Sequence, residues 1–182
     1  TGKTTTAAAL LAVRRRLAPR LTADQVLVAA PTGRAASRIG DALAQAAIRL
    51  KGLDDDDRAF LRGVATVTLH RALEWGPEPP ERGGPYRRNA LRPLEVRVML
   101  VDEASMVDLA LMHALVRALP REASLLLLGF GVANIVDIEA QRFGQIIEAV
   151  QLQFFDFHRI NNTPCLGWSH RFCGDKTMEL PG

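Results

Sequence analysis

Cysteine is scarce in this sequence: two in 182 residues, Cys165 and Cys173. Two cysteines cannot staple a disulfide scaffold, and the expected compartment is a reducing cytoplasm. Aromatic residues make up only 5% of the chain, with a single tyrosine, Tyr86. No apolar run approaches the roughly 18 residues of a membrane span, which excludes an integral membrane protein of the helical kind. No basic segment runs into an apolar stretch, so no secretory signal is expected. Internal repeats are absent too. Position 1 is Thr rather than Met, and the opening Thr1-Gly2-Lys3-Thr4-Thr5-Thr6 reads as a cut end.

What is there is ordinary for a globular domain: 48% hydrophobic and 24% charged residues. That excludes wholesale disorder and predicts one domain, or one domain with a tail. The net charge of +3 is uneven. Residues 1–129 carry 19 Lys and Arg against 14 Asp and Glu, a net of +5, which suits an anionic partner. Residues 130–182 carry 4 against 6, a net of −2. They also hold six of the seven phenylalanines, both cysteines and three of the four asparagines. The vocabulary shift predicts a boundary near residue 129, with 130–182 a divergent, unassigned tail.

Apolar runs and turn residues predict helices over 4–17, 33–50 and 109–119, with a further one starting at His70. They predict strands over 25–30, 65–68, 96–101 and 124–128. Continuous apolar strands alternating with helices imply an α/β domain with a parallel sheet covered on both faces. Ligands are then expected at the carboxyl ends of the strands. Asp54–Asp57 is four adjacent carboxylates, expected to repel and stay solvated in a loop or helix start rather than to bind metal. Residues 76–85, rich in Pro and Gly, read as a loop.

Gly2-Lys3-Thr4 matches the end of the phosphate-binding pattern G-x-x-x-x-G-K-[ST]. There the backbone amides cradle phosphates, the lysine reaches the β and γ groups, and the hydroxyl binds Mg²⁺. The predicted helix begins where that motif requires one. About 100 residues on, Val98-Met99-Leu100-Val101 ends in Asp102-Glu103. Apolar residues followed by two acids suit a strand end at which Asp102 holds Mg²⁺ beside Thr4 and Glu103 activates water. The alternative is a pair of acids that merely caps the next helix. Pro31-Thr32-Gly33-Arg34 follows the first strand, and its Thr and Arg could hold a phosphate; equally, it could be a plain helix start. Thr68 and His70 close the next strand, where His70 could be a core or capping residue.

Thr-Gly-Lys-Thr-Thr-Thr (1–6), Ala-Ala-Pro-Thr-Gly-Arg-Ala-Ala (29–36), Thr-Leu-His-Arg (68–71) and Val-Asp-Glu-Ala-Ser-Met-Val-Asp-Leu (101–109) occur in that order. Together they resemble the RecD family of superfamily 1 DNA helicases, which includes the α subunit of exodeoxyribonuclease V and stand-alone relatives. The resemblance covers about residues 1–129. It implies part of a three-layer RecA-like P-loop NTPase domain, incomplete at its start. It implies ATP and Mg²⁺ as cofactors, with Thr1, Gly2, Lys3, Thr4 and Thr5 at the nucleotide and Thr4 and Asp102 on the metal. Glu103, Asp102 and Lys3 would be catalytic. Pro31, Thr32, Gly33, Arg34, Thr68 and His70 would lie along DNA. The implied activity is ATP-driven 5′ to 3′ movement on single-stranded DNA in recombination and repair, with duplex ends and RecB- and RecC-like subunits as partners.

After 124–128 the family shows Gly-Asp and then Asp-Gln-Leu, whereas here Gly129 is followed by Phe130-Gly131-Val132-Ala133-Asn134. With that segment, half the P-loop and a second motor domain missing, the 182 residues alone are not expected to unwind DNA. The alternative from another class is a non-catalytic DNA-binding or subunit-docking remnant. A third is a P-loop ATPase acting on protein or a small molecule. In the tail, Cys165, His170 and Cys173, with His158, have no standard zinc spacing. Phe154, Phe155 and Phe157 suit core packing. Trp75 and Tyr86 flank the 76–85 loop, where base stacking is conceivable.

Overall fold

The computed structural model describes the backbone of residues 2–76, 85–129 and 133–134, and the side chains of 5–76 and 85–129. The expectations for the tail cysteines, histidines and phenylalanines, and for residue 1, lie outside the described residues. The chain divides into two units, Thr1–Ile146 and Ile147–Gly182, and all the described residues lie in the first.

Helix α1 (Gly2–Leu17) opens the chain, and a 3₁₀ turn (Ala23–Gln25) leads into strand β1 (Val26–Ala30). Helix α2 (Gly33–Arg49) and helix α3 (Asp55–Gly63) follow, then strand β2 (Ala65–Thr68) and the short helix α4 (Leu69–Ala72). Strand β3 (Val98–Val101), a 3₁₀ turn (Ala104–Met106), helix α5 (Leu109–Ala118) and strand β4 (Ser124–Leu128) come next. A two-residue strand β5 (Ala133–Asn134) ends the described part. The sheet order is β2-β1-β3-β4-β5. The first four strands are parallel, as the apolar runs predict, and β5 adds an antiparallel edge.

Period-two alternation decides which residues face which layer. Val26, Val28, Val98, Leu100, Leu126 and Leu128 form one buried cluster with Ala7, Ala8 and Leu11 of α1. Ile39, Leu43, Ala46 and Ala47 of α2 and Phe60 and Leu61 of α3 complete it. Their sheet neighbours Met99, Val101, Leu125 and Leu127 point the other way and are buried as well. Burial on both faces is what a parallel sheet requires, and it explains the unbroken apolar runs. Helix α2 buries residues 35, 36, 39, 43, 46 and 47, a stripe at helical spacing. Gly40 lies on that helix because a side chain there would meet Thr66 Oγ1 at 2.8 Å, so the helix can approach β2 closely.

One expectation fails in part. The aspartates stand at a helix start, as expected, with Asp54, Asp55 and Asp56 exposed and Asp54 capping α3 by accepting from the Asp57 amide at 2.7 Å, but Asp57 is fully buried rather than solvated. Arg15 donates to Asp57 Oδ1 at 2.7 Å, and Arg16 donates to Oδ2 through Nε at 3.0 Å and Nη2 at 2.5 Å. Arg15 also lies 6.0 Å from the centroid of the Phe60 ring. Burial opposes ionisation of Asp57, but hydrogen bonds from Arg16, Arg15 and the Asp54 amide outweigh it, and the carboxyl titrates below its usual range. Repulsion among neighbouring acids loses to two guanidiniums 41 and 42 residues away in sequence. These arginines therefore do more than complement the dipole of α1: they tie its end to α3.

Candidate nucleotide and nucleic-acid edge

Four parallel strands must end on one edge, and the register aligns those ends closely. Ala30 pairs with Thr68, Ala29 with Val101, and Val101 with Leu127. The residues that leave the sheet there are Pro31, Leu69, Asp102 and Gly129. The motif segments 31–34, 68–70 and 102–103 are therefore neighbours in space although about 70 residues separate the first from the last.

Helix α1 brings the fourth motif to the same edge. The Arg14 guanidinium donates to Ser124 Oγ at the start of β4, so the last turns of α1 lie at the amino-terminal end of the sheet. Running back from Arg14 to Gly2 covers about 18 Å of helix rise, against roughly 13 Å for the length of β4. The start of α1 therefore reaches the carboxyl edge. Gly2, Lys3 and Thr4 form its first turn, and no acidic side chain stands in that turn. A helix start with unpaired amides and a positive dipole end is suited to phosphate. Thr5 is exposed one step along.

The 31–34 loop is drawn tight by Ala30, Ala35 and Ala36, which form a small buried cluster of their own. Thr32 caps α2, its Oγ1 accepting from the Ala35 amide at 3.2 Å. Cap and phosphate roles are compatible, because the hydroxyl proton remains available to a phosphate oxygen. Thr32, Gly33 and Arg34 are exposed and Pro31 is half-buried. A side chain at Gly33 would meet nothing within 4 Å, so the space above it is open to a ligand.

Thr68 repeats the device, accepting from the Arg71 amide at 3.2 Å to cap α4. His70 is exposed rather than part of the core. Its ring lies 6.2 Å from Trp75, edge-on, and 6.3 Å from Tyr86. A backbone bridge between Trp75 and Tyr86 closes this aromatic group. Arg88 donates to Glu74 at 2.8 Å and to the Pro93 carbonyl at 3.0 Å. The hydrogen bond from Arg88 holds the Glu74 carboxyl below its usual range.

Asp102 and Glu103 are both half-buried at the end of β3. The Asp102 amide donates to the Ala29 carbonyl at 2.8 Å, extending the β1–β3 pairing one step past the strand. Glu103 then turns left-handed, at φ 53° and ψ 39°. Few non-glycine residues adopt that conformation, and such strain gathers at functional sites. The Met106 amide donates back to the Glu103 carbonyl at 2.9 Å and fixes the turn. Glu103 stands at the N-cap of the 3₁₀ turn, but its side chain makes no capping hydrogen bond there, and α5 is capped by Asp108, which accepts from the Leu111 amide at 2.8 Å. Asp102 offers hard oxygen ligands of the kind Mg²⁺ takes. Among the described residues, no three His, Cys, Asp or Glu side chains gather as a metal cluster, the aspartate run included.

Two side chains were not among the expected site residues. Ser105 Oγ is buried and has no hydrogen-bond partner among the described residues. Arg38 Nη2 donates to Glu103 Oε1 across 65 residues of sequence. Its one visible signal is the four-residue spacing from Arg34, which puts both arginines on one face of α2.

A family profile for the AAA domain matches residues 1–131. The chain is 41% identical over 134 residues to the RecBCD enzyme subunit RecD of Mycobacterium tuberculosis, covering 71% of this chain and 21% of that protein. It is 39% identical over 132 residues to the RecBCD enzyme subunit RecD of Mycolicibacterium smegmatis, covering 71% and 23%. It is 33% identical over 129 residues to the ATP-dependent RecD2 DNA helicase of Deinococcus radiodurans, covering 71% and 14%. The chain thus spans less than a quarter of the length of these relatives. Among the described residues, no helix is long and apolar enough to cross a membrane.

Proposed function

The chain belongs to the AAA domain family and is RecD-like in sequence, and from that premise we propose that it is part of the first motor domain of an ATP-dependent DNA helicase acting in cytoplasmic recombination and repair. Supporting this reading above all is the shared edge, where the 31–34 loop, Thr68 and Asp102-Glu103 all emerge from one parallel sheet.

The division of labour follows from the residue types. Gly2 and the first amides of α1 would face the phosphates of ATP, with Thr1 and Thr5 beside them, and Lys3 would neutralise the β and γ groups. Thr4 and Asp102 would hold Mg²⁺, which when bound neutralises charge that develops on the phosphate oxygens. Glu103 would accept the proton of the attacking water and orient it. Thr32, Arg34 and the amide of Gly33 would hold backbone phosphates of single-stranded DNA, with Pro31 shaping the loop, and Thr68 and His70 would continue the track. Contacts of this kind make binding tolerant of sequence and sensitive to salt. Movement 5′ to 3′, duplex ends as substrate and RecB- and RecC-like partner subunits belong to the same proposal, and they rest on the likeness to RecD proteins.

The test is ATP hydrolysis by the intact protein with and without a thymidine oligonucleotide. The reading expects stimulation by the oligonucleotide and loss of hydrolysis in Lys3→Ala. Oligonucleotide binding without any hydrolysis would favour a non-catalytic DNA-binding role. Hydrolysis indifferent to DNA would favour an ATPase with another substrate.

A further inference from the structure

The contact between Arg38 and Glu103 joins the two functions assigned to this edge. Arg38 stands one turn beyond Arg34 on α2, the helix that the 31–34 loop begins. Its guanidinium is bound to one carboxylate oxygen of Glu103. The two sides of the pair differ in freedom. Glu103 is held by its left-handed backbone, by the amide of Asp102 on Ala29, and by the turn that follows. Arg38 is a long side chain, 68% exposed, that can swing away from a 28%-exposed partner.

A carboxylate committed to a guanidinium is a poorer acceptor for the proton of water. A guanidinium, in turn, binds phosphate through the same paired N–H geometry that it offers a carboxylate. Arg38 therefore has two rival acceptors: Glu103, and any phosphodiester laid along the start of α2. We propose that Arg38 is a DNA-operated restraint on Glu103. Without single-stranded DNA it occupies the Glu103 carboxylate; a backbone phosphate draws it off and frees Glu103 to serve hydrolysis. Arg38 is thus a positioning residue that couples DNA occupancy to the nucleotide site. The inference deepens the motor reading above and rests on it.

Coupling of this sort is reciprocal, so it can be read from DNA binding alone, without nucleotide. The experiment measures affinity of the intact protein for a fluorescent thymidine oligonucleotide across a salt series, for wild type, Arg38→Ala, Glu103→Gln and the double variant. Glu103→Gln removes the rival charge and should tighten binding about two- to fivefold, the scale of an exposed ion pair. Arg38→Ala should weaken binding and lower the salt slope by about 0.7, one phosphate contact on a single strand. In the Arg38→Ala background, Glu103→Gln should change nothing. Hydrolysis gives the matching readout: Arg38→Ala should raise the DNA-free rate and shrink the stimulation by DNA, and Arg38→Lys should restore part of it. Equal effects of Glu103→Gln in both backgrounds, or an unchanged stimulation ratio in Arg38→Ala, overturn the restraint and leave the motor reading standing. A protein that neither binds the oligonucleotide nor hydrolyses ATP overturns both.

Discussion

The two ends of the sheet carry the same chemistry in opposite settings. At the amino-terminal end, Asp57 is entirely buried under Arg15 and Arg16, with both oxygens taken. At the carboxyl end, Glu103 is half-buried and meets the exposed Arg38 through one oxygen. A buried carboxylate that loses its partners has no water to turn to, so the first pair is locked. A pair open to solvent exchanges its partners for water or for another ion at little cost, so the second is free to change. The difference teaches that burial, and not the identity of the charges, separates a structural tie from a switchable contact.

The largest effect should come from breaking the buried tie. The Arg15→Ala, Arg16→Ala double variant, which leaves the Asp57 carboxylate buried without either guanidinium, is expected to destabilise the domain by about 3–5 kcal/mol, measured as a fall in the urea midpoint at neutral pH. A loss below about 1 kcal/mol would place the two ion pairs in one class and remove the contrast. Acid should act on the same site more gently. The folded Asp57 carboxyl titrates below its ordinary range. Its contribution is therefore complete above the unfolded value of about 4 and is lost as pH falls through the lower, folded value. Urea midpoints taken below about pH 4 should drop more steeply in wild type than in Asp57→Asn. Parallel acid limbs would mean that Asp57 is not the group responsible.

At the open edge the effects on stability should be small. Arg38→Ala should shift the midpoint by no more than about 0–1 kcal/mol while altering DNA binding, a separation of stability from function that Asp57 cannot show. Smallest of all should be Ser105→Ala. Its hydroxyl is buried without a partner among the described residues, so removing it should leave stability within about 0.5 kcal/mol or raise it slightly. A cost above about 1.5 kcal/mol would point to a partner for that hydroxyl.

The sheet was legible in the sequence because strands buried on both faces read as unbroken apolar runs. The runs 65–68 and 124–128 match β2 and β4 residue for residue, and β1 and β3 begin one and two residues later than expected. Position at the edge followed too, since a parallel sheet sends every strand end the same way. Helix α3 was not legible as a packed element. Its aspartates look like a solvated patch until Arg15 and Arg16 are brought over Asp57, and nothing local in 54–57 announces that contact. Arg38 was missed for the same reason: its partner lies 65 residues away and only the crossover from α2 to the end of β3 brings them together. His70 had no local signal to separate core from surface, and the answer, exposure beside Trp75 and Tyr86, depends on the bridge that brings those two residues together.

If the carboxyl edge is a hydrolytic site, as proposed, Glu103 must handle the water. The most direct test is the rate of ATP hydrolysis by the intact protein and its Glu103→Gln variant at saturating single-stranded DNA, with DNA affinity measured alongside. The account predicts a fall of about 10²–10⁴-fold in rate, the scale of a lost general base, with DNA affinity retained or improved. Hydrolysis within about twofold of wild type would contradict it, and the acids at the end of β3 would then be structural.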